Sequence, residues 1–329
     1  MKVTRWTNIL ALALVLGATA ACGQPPAGEG PAAGGDADTA SDATAPAPAE
    51  GGAPAAGMPG APDDPIVMSF VPSGETEAIT AGADTIRDLL SAETGLSIET
   101  NVATSYAAVI EAMGAGNAHV AWLPTLSYIL AHEKYGAEPI LVVGRYGTTT
   151  YASQIITRVG GGVATLADLK GKTFCRPDAL STSGWVVPSV MLQAEGVAEA
   201  DLGKVVDAGG HDGVVTAVYK GDCDAGATFV DARGEVEDQY PDVKRVIEVV
   251  ATSADIPNDN VSVAADLPDD VVAKIKDGLV AIGQTPEGAE ALKTVYGVET
   301  LEPADDTFYD AFRVTLDKAG IDVASLMQE

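Results

Sequence analysis

Short apolar runs and amphipathic stretches alternate along the chain from Pro65 onward. Runs rich in β-branched residues predict strands, and apolar residues spaced three or four positions apart predict helices. Strands are predicted at 66–71, 96–102, 119–123, 139–144, 152–158, 173–175, 205–208, 225–229, 243–250 and 261–264. Helices are predicted at 80–93, 106–115, 125–135, 166–169, 186–195, 213–219, 268–283, 286–296 and 306–319. This alternation is typical of an α/β fold whose sheets are mostly parallel and flanked by helices.

The first 64 residues do not follow this pattern. Lys2 and Arg5 precede an uncharged run at 9–16 and small residues before Cys22, which predicts a secretory signal over 1–21 that is too short to span a membrane. Residues 22–64 are mainly Ala, Gly, Pro and acidic residues, and 23–64 contain no Lys, Arg or aromatic residue. Such a stretch buries too little apolar area to fold, so we expect a disordered tether.

The residues around Cys22 resemble the cleavage and lipidation site of bacterial lipoproteins. Cys22 directly follows Thr19-Ala20-Ala21. We therefore expect an exported protein held at the extracytoplasmic face of the bacterial cell membrane through a lipid on Cys22. An ordinary signal peptide followed by an incidental cysteine is the alternative.

The chain is strongly acidic, with 47 acidic residues against 19 basic ones and a formal net charge of −28. This balance argues against nucleic acid or an anionic membrane surface as a partner. It does not exclude a small anion as a ligand, because salt screens long-range repulsion beyond about 8 Å. Local hydrogen-bond donors can therefore decide such a site.

Three consecutive hydroxyl residues are the main candidate for chemistry. Ser181, Thr182 and Ser183 follow the predicted strand 173–175 and a turn at Pro177, and they precede a predicted helix. Unpaired N–H groups and the dipole make a helix N-terminus attractive to anions, and the hydroxyls add O–H donors. Gly184 is expected to let a ligand approach the backbone. The run therefore predicts an anion site, with a plain N-cap as the alternative.

His211 stands in a similar position at the start of another predicted helix, after Gly209 and Gly210. Its imidazole is expected to reach a ligand oxygen and to make binding pH-dependent between about pH 5 and 8, unless it merely caps the helix. Ser183, His211 and either Asp231 or Asp259 would also supply the groups of a serine hydrolase. Three adjacent hydroxyls suit holding several oxygens better than raising one nucleophile. No motif for a cofactor or metal is present in the sequence.

Two cysteines remain beyond Cys22. Cys175 ends a predicted strand, and Cys223 lies just before another. An even pair in an exported protein suggests a disulfide, and two buried thiols are the alternative.

An ordered set of short motifs from about Pro65 to Asp322 resembles the phosphonate/phosphite-binding lipoproteins of bacterial ABC importers. The motifs are SYAAVIEAM at 105–113, VAW at 120–122, the run at Tyr151, STSG at 181–184, AGGH at 208–211 and IPND at 256–259. The resemblance implies that the phosphorus oxyanion is surrounded by Tyr106, Tyr151, Ser181, Thr182, Ser183 and His211. It also implies that Asp231 and Asp259 meet an amine or a protonated oxygen of the ligand.

The resemblance further implies a two-lobed fold like that of periplasmic binding proteins, with the ligand in the cleft between the lobes. Lobe I is expected from 65–147 plus 257–329, and lobe II from 148–256. The lobes would close by a hinge motion at 147–151 and 251–257, and a membrane permease would recognise the closed form. We expect a monomeric receptor without a cofactor that captures a phosphonate-type oxyanion. A receptor for phosphite or inorganic phosphate and a serine hydrolase using Ser183 and His211 remain the alternatives.

Overall fold

The helices and strands follow one another along residues 57–327, which are the residues that our computed structural model of the chain describes. The strands are β1 (Ile66–Phe70), β2 (Ile98–Val102), β3 (Val120–Leu123), β4 (Glu138–Gly144), β5 (Thr150–Tyr151), β6 (Ser153–Arg158), β7 (Thr173–Arg176), β8 (Lys204–Asp207), β9 (Ala225–Phe229), β10 (Ile247–Thr252), β11 (Ile256–Pro257), β12 (Asn260–Val263) and β13 (Thr300–Pro303). The α-helices are α1 (Thr76–Thr94), α2 (Tyr106–Gly114), α3 (Thr125–Tyr135), α4 (Val187–Ala194), α5 (His211–Lys220), α6 (Val243–Val246), α7 (Asp269–Gly283), α8 (Pro286–Tyr296) and α9 (Asp310–Lys318). The expected signal peptide, Cys22 and most of the expected tether lie outside the described residues. No helix in the described part is long and apolar enough to cross a membrane.

The first sheet has six strands in the order β13-β4-β12-β3-β1-β2. Strand β1 runs parallel to β2 and β3, whereas β12 is antiparallel to both β3 and β4. Helix α1 packs here because Ile79, Ala83, Ile86 and Leu90 recur on one face and are all buried. The apolar face of this helix and the apolar residues of the sheet form one core.

The second sheet has five strands in the order β10-β6-β9-β7-β8 and is built from the chain between β5 and β11. Strand β7 is parallel to β8 and β9, while β6 is antiparallel to β9 and β10. Cys175 in β7 and Cys223 just before β9 form a disulfide, with their Cα atoms 5.9 Å apart. The predicted disulfide is therefore confirmed.

The chain passes from the first sheet to the second through β5 and returns through β11. These two short strands pair antiparallel, with Tyr151 opposite Ile256. A tight turn precedes β5, where Arg145 and Thr148 form a bridge. One continuous apolar cluster draws on both sides of this crossing, since it includes Leu126 and Trp185. The two halves of the fold therefore contact each other through α3 and the turn that contains Trp185, as well as being joined by two segments.

Three features differ from the expectations. Both sheets are mixed rather than mostly parallel. In the first sheet β12 runs opposite to its neighbours β3 and β4, and in the second β6 runs opposite to β9 and β10. Strand β13 escapes prediction because it is a mainly exposed strand that pairs only with β4 and ends in Pro303. The predicted strand 243–250 is a helical turn, α6, followed by β10.

The segment 57–64, placed by the sequence in the tether, is folded. Ala61 is fully buried, and Gly60 hydrogen-bonds through its carbonyl to the amide of Ser97, just before β2. Leu96 leaves no room for a side chain at Gly60, so the segment packs closely against the residues before β2, which its composition does not reveal. The ordered chain therefore begins before Pro65.

Candidate functional site

A cavity of about 1170 Å³ lies between the two sheets. Its wall combines residues that follow strands of both sheets with residues of the crossing segments. All eight residues expected at the ligand line it: Tyr106, Tyr151, Ser181, Thr182, Ser183, His211, Asp231 and Asp259. The structure thus brings together side chains that lie far apart in the sequence.

The hydroxyl run starts a single π-helical turn, Thr182–Val186, which leads into α4. Ser181 Oγ accepts from the amide of Gly184 at 3.1 Å, so this serine caps the turn and also lines the cavity. Thr182 Oγ1 accepts from the amide of Leu126, in the first turn of α3, at 2.9 Å. Each of these hydroxyls uses its oxygen as an acceptor, which leaves its O–H available as a donor.

Gly184 does not have the role expected from the sequence. A Cβ at this position would lie 2.3 Å from Cδ of Pro177 and 2.8 Å from Oγ of Ser181. Glycine is required here because the π turn packs tightly on Pro177. Gly184 is also absent from the lining of the cavity.

His211 is the first residue of α5 and is 96% buried, with 4% of its surface exposed. Its backbone N–H donates to the carbonyl of Ser73, after β1, at 2.9 Å. Its ring packs edge-on against Phe229, and its Nδ1 has no hydrogen-bond partner in the described part of the chain. A buried polar atom without a partner is unusual in a folded protein and is suited to meet a ligand.

Burial, together with the positive charge of Arg145, lowers the pKa of His211 from 6.5 to about 3. The imidazole is therefore neutral between pH 5 and 8. In this arrangement the charge of His211 therefore does not change in the range in which a pH dependence of binding is expected from it. A neutral imidazole offers one N–H donor and one acceptor.

The tyrosines come from the first sheet's side and from the crossing. Tyr106 opens α2, and Tyr151 lies in β5. Burial raises the pKa of both phenols, and the carboxylates Asp178 and Asp259 respectively act in the same direction. Both phenols stay protonated, so each can donate a hydrogen bond.

The two acids differ in their surroundings. Asp231 has a left-handed backbone (φ 67°), its side chain is 61% exposed, and it lies 3.3 Å from Nη2 of Arg233. The side chain of Asp259 is only 21% exposed, and its Oδ2 accepts from Nη2 of Arg145 at 2.8 Å. Asp231 is therefore a rim residue, whereas Asp259 belongs to an ion pair inside the cavity wall.

Sequence reasoning missed Arg145. It follows β4 directly and lines the cavity, and its Nε donates to the carbonyl of Tyr296 at 2.8 Å. The available signal was its place at the end of a predicted strand of the first sheet. A single arginine between Gly144 and an exposed tyrosine gives no further indication of its partners.

Direct hydrogen bonds also connect the two sides of the cavity. Asp178, in the turn before the hydroxyl run, accepts from the amide of Tyr106 through Oδ2 at 3.3 Å and from the amide of Leu180 through Oδ1 at 2.7 Å. A carboxylate at the N-terminus of α2 is favoured by the helix dipole. The N-termini of α2 and α3 in the first sheet's layer are thus bonded by side chains of the second.

The side chains that a serine hydrolase would use are present, but the hydrogen bonds that would link them are not seen among the described residues. Within the described residues, no hydrogen bond joins Ser183 to His211, and Nδ1 of His211 has no carboxylate to orient it. Nucleophilic catalysis by serine requires such a chain of contacts. The arrangement instead gives a set of neutral donors around a space that can hold an anion.

Comparison with known proteins identifies relatives of the chain. Residues 68–309 match the family described as ABC transporter, phosphonate, periplasmic substrate-binding protein. The phosphate-import protein PhnD of Mycolicibacterium smegmatis is 33% identical over 176 residues, which are 50% of this chain and 54% of that protein. The phosphonates-binding periplasmic protein of Escherichia coli is 26% identical over 205 residues, 60% of each chain. The matches to both relatives thus span less than two thirds of their length.

Solved structures share the fold. A binding-protein component of an ABC phosphonate transporter from Pseudomonas aeruginosa superposes with a TM-score of 0.70 at 19% identity, over 80% of this chain and 96% of the other. PhnD1 from Prochlorococcus marinus in complex with methylphosphonate also gives 0.70, at 16% identity, over 78% and 98%. The expected periplasmic-binding-protein-like architecture is confirmed. Because the family match covers most of the chain, the protein belongs to the periplasmic substrate-binding proteins of phosphonate ABC transporters.

Proposed function

We propose that this protein is the extracytoplasmic receptor of an ABC importer and captures a phosphonate-type phosphorus oxyanion in the cavity between its sheets. The observation that carries this proposal is the convergence of neutral donors on one cavity. Three hydroxyls in sequence, two protonated phenols and a buried imidazole with an unpartnered Nδ1 all line it. Hydrogen bonds from such donors to a charged group are stronger than those between neutral groups.

In this proposal the head group is held by Ser181, Thr182, Ser183, His211, Tyr106 and Tyr151. Asp231, on the rim, is placed to meet a cationic substituent of the ligand. The cavity exceeds the 300–1,000 Å³ range usual for small-molecule pockets. That room accommodates a ligand that carries a substituent as well as a bare oxyanion.

The domain division predicted from the sequence belongs to the same proposal. Lobe I would comprise 65–147 and 257–329, and lobe II 148–256. The paired strands β5 and β11 would form the hinge, since two short crossing segments can absorb the change in backbone angles that lobe closure requires. Closure would then bring the donors of both sides around the ligand, and a permease would recognise that form.

A ligand panel tests this function. Purified protein is titrated calorimetrically with phosphite, inorganic phosphate, methylphosphonate and 2-aminoethylphosphonate, and sulfate is the control anion. We expect binding of at least one phosphonate and none of sulfate, with no hydrolysis of any ligand. If no phosphorus oxyanion bound, the proposal would be refuted.

Inorganic phosphate is the second candidate ligand, because the relative with 33% identity is named a phosphate-import protein. The same titrations compare the affinity for phosphate with the affinities for the phosphonates. Tighter binding of phosphate than of both phosphonates would assign the protein to phosphate.

We also propose that Cys22 carries a lipid anchor after removal of 1–21, and that the protein acts as a monomer. The variant Cys22→Ala should leave the membrane fraction and keep its ligand affinity. Wild-type protein found entirely in the soluble fraction would contradict the anchor, and a dimeric mass in sedimentation would contradict the monomer.

A further inference from the structure

We propose that Arg145 is a further ligand-binding residue of the cavity, and that Asp259 is its positioning partner rather than a direct contact of the ligand. This inference rests on the proposed function. It concerns a residue of the cavity wall that the sequence did not indicate. Its basis is the geometry and the charge of the Arg145–Asp259 pair.

The guanidinium of Arg145 is held from three directions. Nε donates to the carbonyl of Tyr296 at 2.8 Å, Nη1 to Oδ1 of Asn258 at 2.6 Å, and Nη2 to Oδ2 of Asp259 at 2.8 Å. Tyr296 ends α8, where the helix dipole favours a cation. Asn258 is fully buried, so its side chain is a fixed support.

This arrangement leaves donors for a ligand. A guanidinium has five N–H groups in one plane, and three are used within the described residues. The side chain is 17% exposed and lines the cavity. A planar pair of N–H groups matches the oxygens of a phosphorus oxyanion, and its fixed position reduces the entropy lost on binding.

The surrounding charge gives such a cation a role in binding. The cavity wall also contains the acidic residues Glu75, Asp212, Asp231, Asp238 and Asp255, and Lys293 is its other cation. Burial raises the pKa of Glu235, a further acidic residue of the wall, to about 8, so it is neutral at pH 7. Lys293 is exposed, whereas Arg145 acts electrostatically on His211 and Tyr151, which line the head-group site. Arg145 is thus the cation that opposes repulsion of an entering anion.

Asp259 is poorly placed to meet an amine. Its Oδ2 already accepts from Arg145, and its carbonyl accepts from the amide of Val143 at 2.8 Å. An ammonium group on this carboxylate would lie beside a guanidinium. The carboxylate instead fixes Arg145 and cancels part of its charge.

Opposite charge changes at the two positions test this inference. Asp259→Asn keeps an amide oxygen for Nη2 and removes the negative charge, so phosphate and methylphosphonate should bind about three- to tenfold more tightly. Arg145→Gln removes the cation and should weaken both by about tenfold or more. Arg145→Lys keeps the charge and should lose less than Arg145→Gln. Arg313→Gln, in an ion pair with Asp306 outside the cavity, is the matched control and should bind like wild type.

The ligand 2-aminoethylphosphonate separates the two roles of Asp259. If Asp259 positions Arg145, the Asn variant gains affinity for this ligand as it does for methylphosphonate, because the head group is shared. A selective loss of 2-aminoethylphosphonate would show a direct contact with the amine and overturn the inference. Wild-type affinity in Arg145→Gln, or equal losses in the Lys and Gln variants, would overturn it as well.

The variants and the wild-type titration together separate a loss of folding from a loss of binding. If Arg145→Gln unfolds, Asp259→Asn and Arg145→Lys still decide the question. If wild-type protein binds no phosphorus oxyanion, the proposed function fails. If it binds and the variants do not separate as described, only the role of Arg145 fails.

Discussion

The two sides of the cavity present different kinds of group to a ligand. On the side of the second sheet, Ser181, Thr182, Ser183 and a neutral His211 carry no charge at neutral pH, and the carboxylates Asp212, Asp231 and Asp238 line the cavity from the same side. On the side of the first sheet and the crossing segments, the wall contains the ion pair of Arg145 and Asp259. The hydroxyls and the imidazole, here called the neutral side, hold uncharged donors, and the charged side combines a cation with its counter-ion.

The difference shows how a protein with a net charge of −28 can hold an anion. Neutral donors inside a cavity interact strongly with an ion because little water competes with them. They act on any oxyanion alike, whereas a charge pair responds to the charge of the ligand. We therefore expect both sides to contribute to affinity for the shared head group, the neutral side through its hydrogen bonds and the charged side through the charge of Arg145.

The largest expected effect is a loss of stability on removal of the disulfide that lies beside the hydroxyl run. The disulfide links β7, which leads into the hydroxyl run, to the start of β9, across 48 positions of sequence. In the chain-entropy model a closed loop of this size stabilises by roughly 4 kcal/mol. The double variant Cys175→Ser/Cys223→Ser should lose about that much free energy of unfolding in denaturant titrations. Reductant should destabilise wild type to a similar extent and leave the variant unchanged, and a wild type insensitive to reductant would contradict the prediction.

The next effect concerns the neutrality of His211. The pKa of its imidazole is 6.5 in the unfolded chain and about 3 in the folded one, so at pH values between these the unfolded state binds a proton that the folded state does not. The free energy of unfolding should therefore fall as the pH falls from 6.5 towards 3, by up to about 1.4 kcal/mol per pH unit. Between pH 7 and 4.5, wild type should lose roughly 2–3 kcal/mol more than His211→Gln. Parallel stability curves for the two proteins would show that the folded imidazole is not kept neutral.

The smallest of these effects concerns a single donor of the neutral side. Ser183→Ala removes one O–H donor, and a hydrogen bond to a charged group contributes about 1.5–3 kcal/mol, so binding should weaken by roughly one to two decades. The loss should be similar for phosphate, methylphosphonate and 2-aminoethylphosphonate. Ser189→Ala is the control, because Oγ of Ser189 donates to the carbonyl of Val186 and lies outside the main cavity. Equal affinity in the two variants would leave Ser183 without a role in binding.

Much of the secondary structure could be predicted from local pattern. The predicted helices 125–135 and 286–296 and the strand 225–229 have the bounds that the structure shows. Both helices have a proline at or just before the first residue and a glycine just after the last, which are local signals. The turn Thr182–Val186 is predicted from the sequence only as the approach to a helix, because the local pattern does not reveal its π geometry or its packing on Pro177.

For the candidate site, too, some features could be predicted from the sequence and others could not. Hydroxyls adjacent in sequence and a histidine that follows two glycines can be recognised without a structure, since each motif lies within a few residues. Their convergence on one cavity, and the burial that keeps His211 neutral, depend on both sheets. The hinge and lobe boundaries stay predictions, which the ligand-induced closure will test.

The sequence by itself determined the family, the order of the elements and the neutral donors, because these are written in short runs of neighbouring residues. Only the tertiary structure decided the strand directions and the charged side of the cavity. Arg145 and Asp259 are 114 positions apart, and they meet because β12 returns beside β4 after the chain has built the second sheet. A contact of that kind depends on which strands become neighbours, and the local pattern of either segment carries no information about its partner.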